Sequence, residues 1–140
     1  MRSNGPTFVV DAGDLLWKSS RIDETRLPQQ RVKADLQLRA YAESGVDAMV
    51  LGDSDWALGT DWIARRISDY NMPVLATNAR CEGVETLPFV RIEREGLVVG
   101  FMGVVGRDDA GPCDYLAPVP ALTTAVSDMG DVDILVVLSL

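Results

Sequence analysis

The chain has 140 residues, of which 47% are hydrophobic and 24% are charged. This length and composition predict one soluble globular domain that buries about two thirds of the surface of its unfolded chain. The sequence contains no histidine, which excludes Ser-His-Asp and Cys-His catalysis and imidazole zinc sites. Any catalysis therefore depends on carboxylates, hydroxyls, lysine, cysteine, tyrosine or a metal held by oxygen.

The charge is strongly acidic, with 13 Lys and Arg against 21 Asp and Glu and a formal net charge of −8. Such a chain repels nucleic acid and anionic membranes unless a basic patch overrides the net field, and the sequence shows no such patch. Its apolar stretches are far shorter than the roughly 18 residues of a membrane span, and no signal peptide is recognised at the N-terminus. We therefore expect neither a nucleic-acid partner nor a membrane span.

Alternating apolar runs and helical patterns predict the secondary structure in chain order. Strands are predicted over 7–10, 46–51, 74–77 and 134–138, with an antiparallel hairpin of 89–93 and 97–105. The first helix is predicted over 28–44, with Gly45 as its stop and with four residues at the spacing of one helical face: Val32, Leu36, Ala40 and Glu43. The second is predicted over 61–70, capped by Thr60, with an apolar face of Trp62, Ile63 and Ile67. The third begins near Pro118 or Pro120 and ends at Gly130.

The strand-helix-strand-helix-strand order predicts parallel crossovers, and hence an α/β fold with a mostly parallel sheet and an added hairpin. A buried parallel strand is an unusual terminus for a complete domain of this kind. We therefore expect residues 1–140 to form a single domain that is part of a larger one.

Acidic residues follow two of the predicted strands. Asp11 and Asp14 follow the first strand, and Asp53 and Asp55 follow the second. Parallel strands lie about 4.8 Å apart and end at the same sheet edge, so repulsion raises some carboxyl pKa values unless a cation lies between them. Oxygen ligands favour Mg²⁺, Mn²⁺ or Ca²⁺. Spacing alone favours the other interpretation, in which Asp and Gly simply form the turns.

Other residues also have two interpretations. Cys81 and Cys113 lie 32 positions apart and form no CxxC motif, so a disulfide is open and two unpaired thiols are the favoured interpretation. The three tryptophans could form a platform on which a nucleobase stacks, but packing in the core or in a lid is the favoured interpretation. These residues are Trp17, Trp56 and Trp62. For Asn78, at a strand end, turn formation is favoured over ligand contact.

Five segments in chain order resemble the metallophosphoesterase superfamily, specifically its 5'-nucleotidase branch. Residues 9–16, VVDAGDLL, contain the "DAGD" turn of that family, and residues 45–59, GVDAMVLGDSDWALG, resemble "GVDAxxxGNHEFDxG". Residues 73–78, the hairpin and residues 131–139 are similar to its later strands. The resemblance spans essentially the whole chain and implies a metallophosphoesterase-like layered α/β sandwich.

The resemblance also assigns individual positions. Family members hold two divalent metals, and a metal-bridged water attacks phosphorus. By match, Asp14 takes the bridging-carboxylate position and Asp53 takes the position of an asparagine ligand, which implies a weak Mn²⁺ or Mg²⁺ site. Ser54 replaces the histidine that stabilises the transition state, and Ala57 replaces the aspartate that orients this histidine. Leu140 stands where the family has a metal-binding histidine.

Two functions follow as expectations. The first is a degenerate 5'-nucleotidase-like domain that is not hydrolytic by itself, retains weak divalent-metal or nucleotide binding, and serves as a binding or scaffold module. The alternative is an atypical metal-dependent phosphoester hydrolase whose carboxylate-rich Mg²⁺ or Mn²⁺ site is completed by flanking sequence or a partner chain. An exposed sheet edge predicts a homodimer, and the family implies a parent protein in the cell envelope.

Overall fold

The computed structural model describes residues 5–108 and 110–139 as a mixed α/β structure, which confirms the predicted class. The elements are, in chain order, β1 (Val10–Asp11), α1 (Leu27–Ser44), β2 (Ala48–Met49), α2 (Asp53–Trp56), α3 (Thr60–Tyr70), β3 (Ala79–Arg80), β4 (Val90–Arg94), β5 (Leu97–Val104), β6 (Asp114–Tyr115), α4 (Pro118–Met129) and β7 (Ile134–Ser139). Among these helices, none combines the length and the apolar character that crossing a bilayer requires.

The strands form three small sheets within the described residues. Strands β1 and β2 pair in parallel, β3 and β6 pair antiparallel, and the third sheet has the order β4-β5-β7. In this third sheet β5 is antiparallel to β4 and parallel to β7. The strand predicted over 74–77 is reduced to single bridges of Val74 to Met49 and of Leu75 to Leu87. The expected parallel strand pairs and the expected hairpin are present. They belong to separate small sheets, whereas the sequence predicts one mostly parallel sheet.

The β4–β5 hairpin shows how the sequence sets a tight turn. Arg94 pairs with Leu97, so Glu95 and Gly96 form a two-residue loop. Both residues have positive φ angles, 52° for Glu95 and 80° for Gly96. A type I′ turn requires this conformation at both central positions and matches the twist of the flanking strands.

Neighbouring residues of the strand predicted over 46–51 belong to two different hydrophobic clusters. Met49 packs in a cluster with Leu38 of α1 and Ile63 of α3, whereas its neighbour Val50 packs in a cluster with Phe101 of β5. A third cluster lies between β5 and α4. Because adjacent side chains of a strand point to opposite faces, α1 and α3 lie on one side of this strand and the β4–β5–β7 sheet lies on the other.

Gly103 of β5 lies close to two residues of the neighbouring backbone segments, Val50 and Leu75. A Cβ added to Gly103 would lie 2.8 Å from Cγ2 of Val50 and 2.8 Å from Cβ of Leu75. Real Cβ atoms do not approach this closely, so only glycine fits at this position without a shift of its neighbours. The absence of a side chain at Gly103 thus sets the spacing in the central cluster.

Helix α1 buries a different face from the predicted one. Its buried residues are Gln30, Ala34 and Leu38. The four residues at the spacing of the predicted face are all exposed: Val32, Leu36, Ala40 and Glu43. Val32 is 70% exposed and Leu36 is 68% exposed. The prediction was wrong because the helix has two apolar stripes, and the one with the small Ala34 packs towards α3. The predicted stop is confirmed, since Gly45 has a left-handed φ of 73°.

Helix α3 begins one residue earlier than predicted. Thr60 is its first helical residue, Gly59 with a φ of 97° occupies the N-cap position, and no side-chain hydrogen bond caps this end. Thr60 is therefore not the cap that the sequence predicts. Ile63 and Ile67 are buried, as expected for the apolar face.

The two cysteines form a disulfide, so their interpretation as unpaired thiols was wrong. In the antiparallel register of β3 and β6, Arg80 is opposite Asp114. Cys81 and Cys113 are the next opposed positions, and their sulfurs are bonded across 32 residues of sequence. The pairing of β3 with β6 brings the cysteines together. Each of these strands has only two residues, too few to show a periodicity, so the sequence does not predict the pairing.

Candidate functional site

The turn after β1 presents Asp14, one of the two residues matched to metal ligands. The backbone N–H of Gly13 donates to Oδ1 of Asp11 at 2.9 Å, and the chain then passes through positive φ angles of 118° at Gly13 and 56° at Asp14. Asp is among the few residue types other than glycine that adopt this region readily. The turn leaves the Asp14 side chain exposed and directs its backbone N–H towards α2.

Asp55 of α2 is fully buried and joins this turn to the turn after β2. Its Oδ1 accepts the N–H of Leu16 at 2.7 Å, and its Oδ2 accepts the N–H groups of Gly52 at 3.0 Å and Asp14 at 3.1 Å. Burial raises the pKa of Asp55 to about 6; the charge of Asp14 also raises it, while the three N–H donors oppose the rise. The carboxylate is thus engaged by backbone groups and acts as a brace between the two turns.

Ser54 contacts both residues that the sequence predicts as metal ligands. Its backbone N–H donates to Oδ1 of Asp14 at 3.2 Å, and its hydroxyl donates to Oδ1 of Asp53 at 3.2 Å. Ser54 is buried and Asp53 is half-buried. Asp14 and Asp53 therefore each accept a hydrogen bond from the same serine, the residue that the sequence resemblance matches to a histidine of the family.

This set of donors is a poor fit to the two-metal centre that the resemblance implies. One oxygen of Asp14 and one of Asp53 already accept hydrogen bonds from Ser54. Over residues 5–108 and 110–139, no three His, Cys, Asp or Glu side chains form a group that could hold a metal ion. Mg²⁺ prefers six oxygen ligands in a near-octahedral arrangement. Two carboxylates leave most of these positions to water, so the described residues do not supply the ligand set of a two-metal centre.

Asn78 has a structural role, as the sequence favours. It is fully buried, its amide donates to the carbonyl oxygen of Val105 at 2.9 Å, and its side-chain oxygen accepts the N–H of Val105 at 2.9 Å. Its backbone oxygen accepts the N–H of Leu116 at 2.8 Å. Asn78 therefore fixes both ends of the stretch between Val105 and Leu116.

Two of the three tryptophans take packing positions. Trp56 and Trp62 pack against the cluster that contains α1 and α3. The guanidinium groups of Arg31 and Arg66 each lie 5.9 Å from the ring of Trp62. Trp17 donates its indole N–H within its own loop. Trp56 and Trp62 thus have the packing role that the sequence favours.

A cleft of about 810 Å³ lies away from the acidic turns, between residues 76–88 and α4. Its polar lining includes Thr77, Arg80, Thr124 and Asp128, and Cys81 forms part of its wall. Sequence reasoning missed this cleft, because its lining comes from short elements without a motif. Neither Asp14 nor Asp53 is among the residues that line it.

No protein-family model matches the sequence, and no match is found among the curated proteins. The fold is similar to that of a 5'-nucleotidase precursor from Thermus thermophilus, with a TM-score of 0.71 and 21% identity over 99% of this chain and 28% of that chain. It is also similar to the sulfate thiohydrolase SoxB of the same organism, solved with glycerol, with a TM-score of 0.66 and 19% identity over 94% of this chain and 25% of that one.

A third similar structure is a putative 5'-nucleotidase from Staphylococcus aureus, solved with alpha-ketoglutarate. Its TM-score is 0.69, with 19% identity over 94% of this chain and 28% of that chain. This chain thus spans about a quarter of the length of the structures that it matches. The chain therefore has the fold of the matching part of these structures, two of which are described as 5'-nucleotidases, as the resemblance in its sequence implies.

Proposed function

We propose that this chain is a degenerate 5'-nucleotidase-like domain that does not hydrolyse phosphoesters by itself. The observation that carries the proposal is Ser54. It stands at the position of the family's histidine, and its hydroxyl bonds to Asp53 while its N–H bonds to Asp14. A serine hydroxyl cannot supply the positive charge of an imidazolium. Losing one such electrostatic stabiliser typically costs about 10²–10³ in rate.

The sequence match assigns no other residue that could replace the positive charge of the histidine. Ala57 stands where the family has the aspartate that orients the histidine, and the chain contains no histidine at all. The poor fit of the donor set to two metals removes the second requirement of the family reaction, because a metal-bridged water is its nucleophile. Both arguments support a domain that keeps the fold and works as a binding or scaffold module.

We further propose that Asp14 and Asp53 retain weak binding of one Mn²⁺ or Mg²⁺ ion. Both carboxylates accept hydrogen bonds from Ser54, and carboxylate oxygen is the donor that these cations take. A nucleotide or another phosphoester is the ligand class that fits this proposal, since two of the similar structures are described as 5'-nucleotidases.

Calorimetric titration with Mn²⁺ tests the metal site. We expect saturable binding with a dissociation constant of about 0.1–1 mM for the unaltered chain, and no saturable heat for Asp14→Asn. The matched control is Asp131→Asn, which neutralises an exposed carboxylate after α4 and should bind as the unaltered chain does. Absence of binding by the unaltered chain, or unchanged binding by Asp14→Asn, would contradict the metal site.

A hydrolysis assay separates this proposal from the alternative function. With p-nitrophenyl phosphate and millimolar Mn²⁺, we expect no rate above that of the buffer. Hydrolysis that requires Mn²⁺ and disappears in Asp14→Asn would instead support the atypical hydrolase with a carboxylate-rich Mg²⁺ or Mn²⁺ site. Activity that appears only on adding flanking sequence or a partner chain would show that the site is completed from outside.

We also propose that the chain forms a homodimer through β7. This strand pairs with β5 on one side and is the last strand of its sheet within the described residues. Apolar side chains along it are 43–46% exposed, namely Ile134, Leu135 and Val137. An edge strand with apolar residues on both faces is suited to pairing with a second copy. Sedimentation at micromolar concentration should show a dimer that Val137→Lys disrupts, and a monomeric profile of the unaltered chain would refute it.

A location outside the cytoplasm, in the cell envelope, is the last part of the proposal. The disulfide between Cys81 and Cys113 supports it, because such bonds form and persist in oxidising compartments. Alkylation of the protein in intact cells should leave both cysteines unlabelled. Labelling of both would argue for a reducing compartment.

A further inference from the structure

The segment 110–116 covers the ring of Trp56, the last residue of α2. A Cβ added to Gly111 would collide with Cδ1 of Trp56, so the backbone of the segment rests directly on the indole. Ala110 is only 4% exposed, which places this end of the segment in the protein interior. Because α2 also carries Asp53 and Ser54, the segment lies next to the candidate site.

The disulfide is the covalent link that holds this segment in place. Cys113 lies at its centre and is bonded to Cys81, just beyond a β3–β6 ladder of only two residue pairs. The N–H of Leu116 adds one hydrogen bond to the backbone oxygen of Asn78. A short two-stranded ladder is marginal on its own, and closing a loop of this length without a crosslink costs conformational entropy. The crosslink therefore favours the closed position of the segment.

The disulfide also forms a wall between the 810 Å³ cleft and the interior. Cys81 lines the cleft, and both cysteines line a small interior space against Trp56 and Leu51. Cys81 and Cys113 are each half-buried and not fully enclosed. A small thiol reagent in the cleft can therefore approach the bond.

We propose that the Cys81–Cys113 disulfide is a redox-sensitive link that holds the segment 110–116 against α2 and releases it on reduction. A dithiol reductant attacks one sulfur as its thiolate and forms a mixed disulfide, while the other cysteine leaves and takes up a proton. The second thiol of the reductant then closes to a disulfide and releases the first cysteine, so the reductant loses two electrons and the protein gains two thiols. The segment separates from Trp56 and uncovers α2, while the β4–β5–β7 sheet stays folded.

Hydrogen exchange of the full chain, with and without dithiothreitol, tests this proposal. We expect the amides of the segment 110–116 to exchange about tenfold faster or more after reduction, because a crosslink no longer restrains local opening. The amides of β5 should keep their protection. The double variant Cys81→Ser/Cys113→Ser should show fast exchange of the segment without reductant and no response to dithiothreitol.

Three outcomes would overturn the proposal. The first is unchanged protection of the segment when thiol counting shows both cysteines reduced. The second is equal acceleration in β5, which would mean that reduction unfolds the whole chain. The third is two free thiols in the protein purified without reductant.

A fluorescence measurement gives an independent readout if the double variant fails to fold. In a Trp17→Phe/Trp62→Phe background, Trp56 is the remaining tryptophan. Its quenching by acrylamide should increase on reduction, because the segment no longer covers its ring. Identical quenching of the oxidised and reduced forms would contradict the uncovering of α2.

Discussion

The backbone N–H of Asp14 donates to Oδ2 of Asp55 at 3.1 Å and joins two turns that are 41 residues apart in sequence. Oδ1 of Asp14 in turn accepts the N–H of Ser54 at 3.2 Å, so the turns after β1 and β2 are connected in both directions. Backbone hydrogen bonds to two carboxylates thus fix the arrangement of these two acidic turns. Asp55 has a structural role at this position.

Replacing Asp55 by alanine should therefore be costly. Asp55→Ala leaves the N–H groups of Leu16, Gly52 and Asp14 without their acceptor, and we expect a loss of about 2–4 kcal/mol in the free energy of unfolding. The control Asp53→Ala changes a half-buried neighbour and should cost about 1 kcal/mol or less. Urea unfolding measures both, and equal costs would contradict the bracing role.

The raised pKa of Asp55 predicts a pH dependence with a definite sign. Burial raises this pKa from the ordinary value of 3.8 to about 6, so the folded state binds the proton more tightly than the unfolded state. The part of the stability that is linked to protonation of Asp55 is fully present below a pH of about 4 and is lost as the pH rises through about 6, whereas the three hydrogen bonds from backbone N–H groups stabilise the fold above this range as well. In the presence of EDTA, the unaltered chain should gain stability relative to Asp55→Asn on acidification over this range. A difference between the two proteins that does not change with pH would refute the assignment.

The close approach at Gly103 can be tested by adding one methyl group. Gly103→Ala places a Cβ against Val50 and Leu75, and we expect a loss of about 1–3 kcal/mol from overpacking. Gly5→Ala is a suitable control, because a Cβ added at Gly5 has no atom within 4 Å. Thermal unfolding should shift for Gly103→Ala alone, and a neutral Gly103→Ala would contradict the packing.

The disulfide should stabilise the chain independently of any redox function. It spans 32 positions, and for a loop of this length the chain-entropy model gives about 3–4 kcal/mol. We expect Cys81→Ser/Cys113→Ser to unfold at a lower urea concentration than the oxidised chain by an amount of this order. The unaltered chain measured in dithiothreitol is the matched comparison, and it should behave like the double variant. Identical midpoints for the oxidised and reduced chains would contradict a structural contribution of the bond.

Helix α1 illustrates where prediction from sequence succeeds and where it fails. Its end at Gly45 is predictable, because a left-handed C-cap favours glycine. Its buried face is not, because Val32 and Leu36 fit helical periodicity as well as Ala34 and Leu38 do. The packing of α3 against Ala34 decides between them, and that contact is absent from local sequence.

The candidate site was predictable to a similar extent. The order of the strands predicts that Asp14 and Asp53 lie at one sheet edge, and in the structure both side chains accept hydrogen bonds from Ser54; their role as metal ligands stays a prediction. The bracing role of Asp55 was not predicted, because it depends on the short helix α2, whose four residues show no periodicity. The disulfide was missed because it depends on the register of β3 and β6.

The most direct test of the central claim is phosphoester hydrolysis by the purified chain in millimolar Mn²⁺, compared with Asp14→Asn. The account predicts that both proteins show only the rate of the buffer, because Ser54 occupies the position of the catalytic histidine and the donor set does not fit two metals. A metal-dependent rate in the unaltered chain that Asp14→Asn abolishes would contradict it.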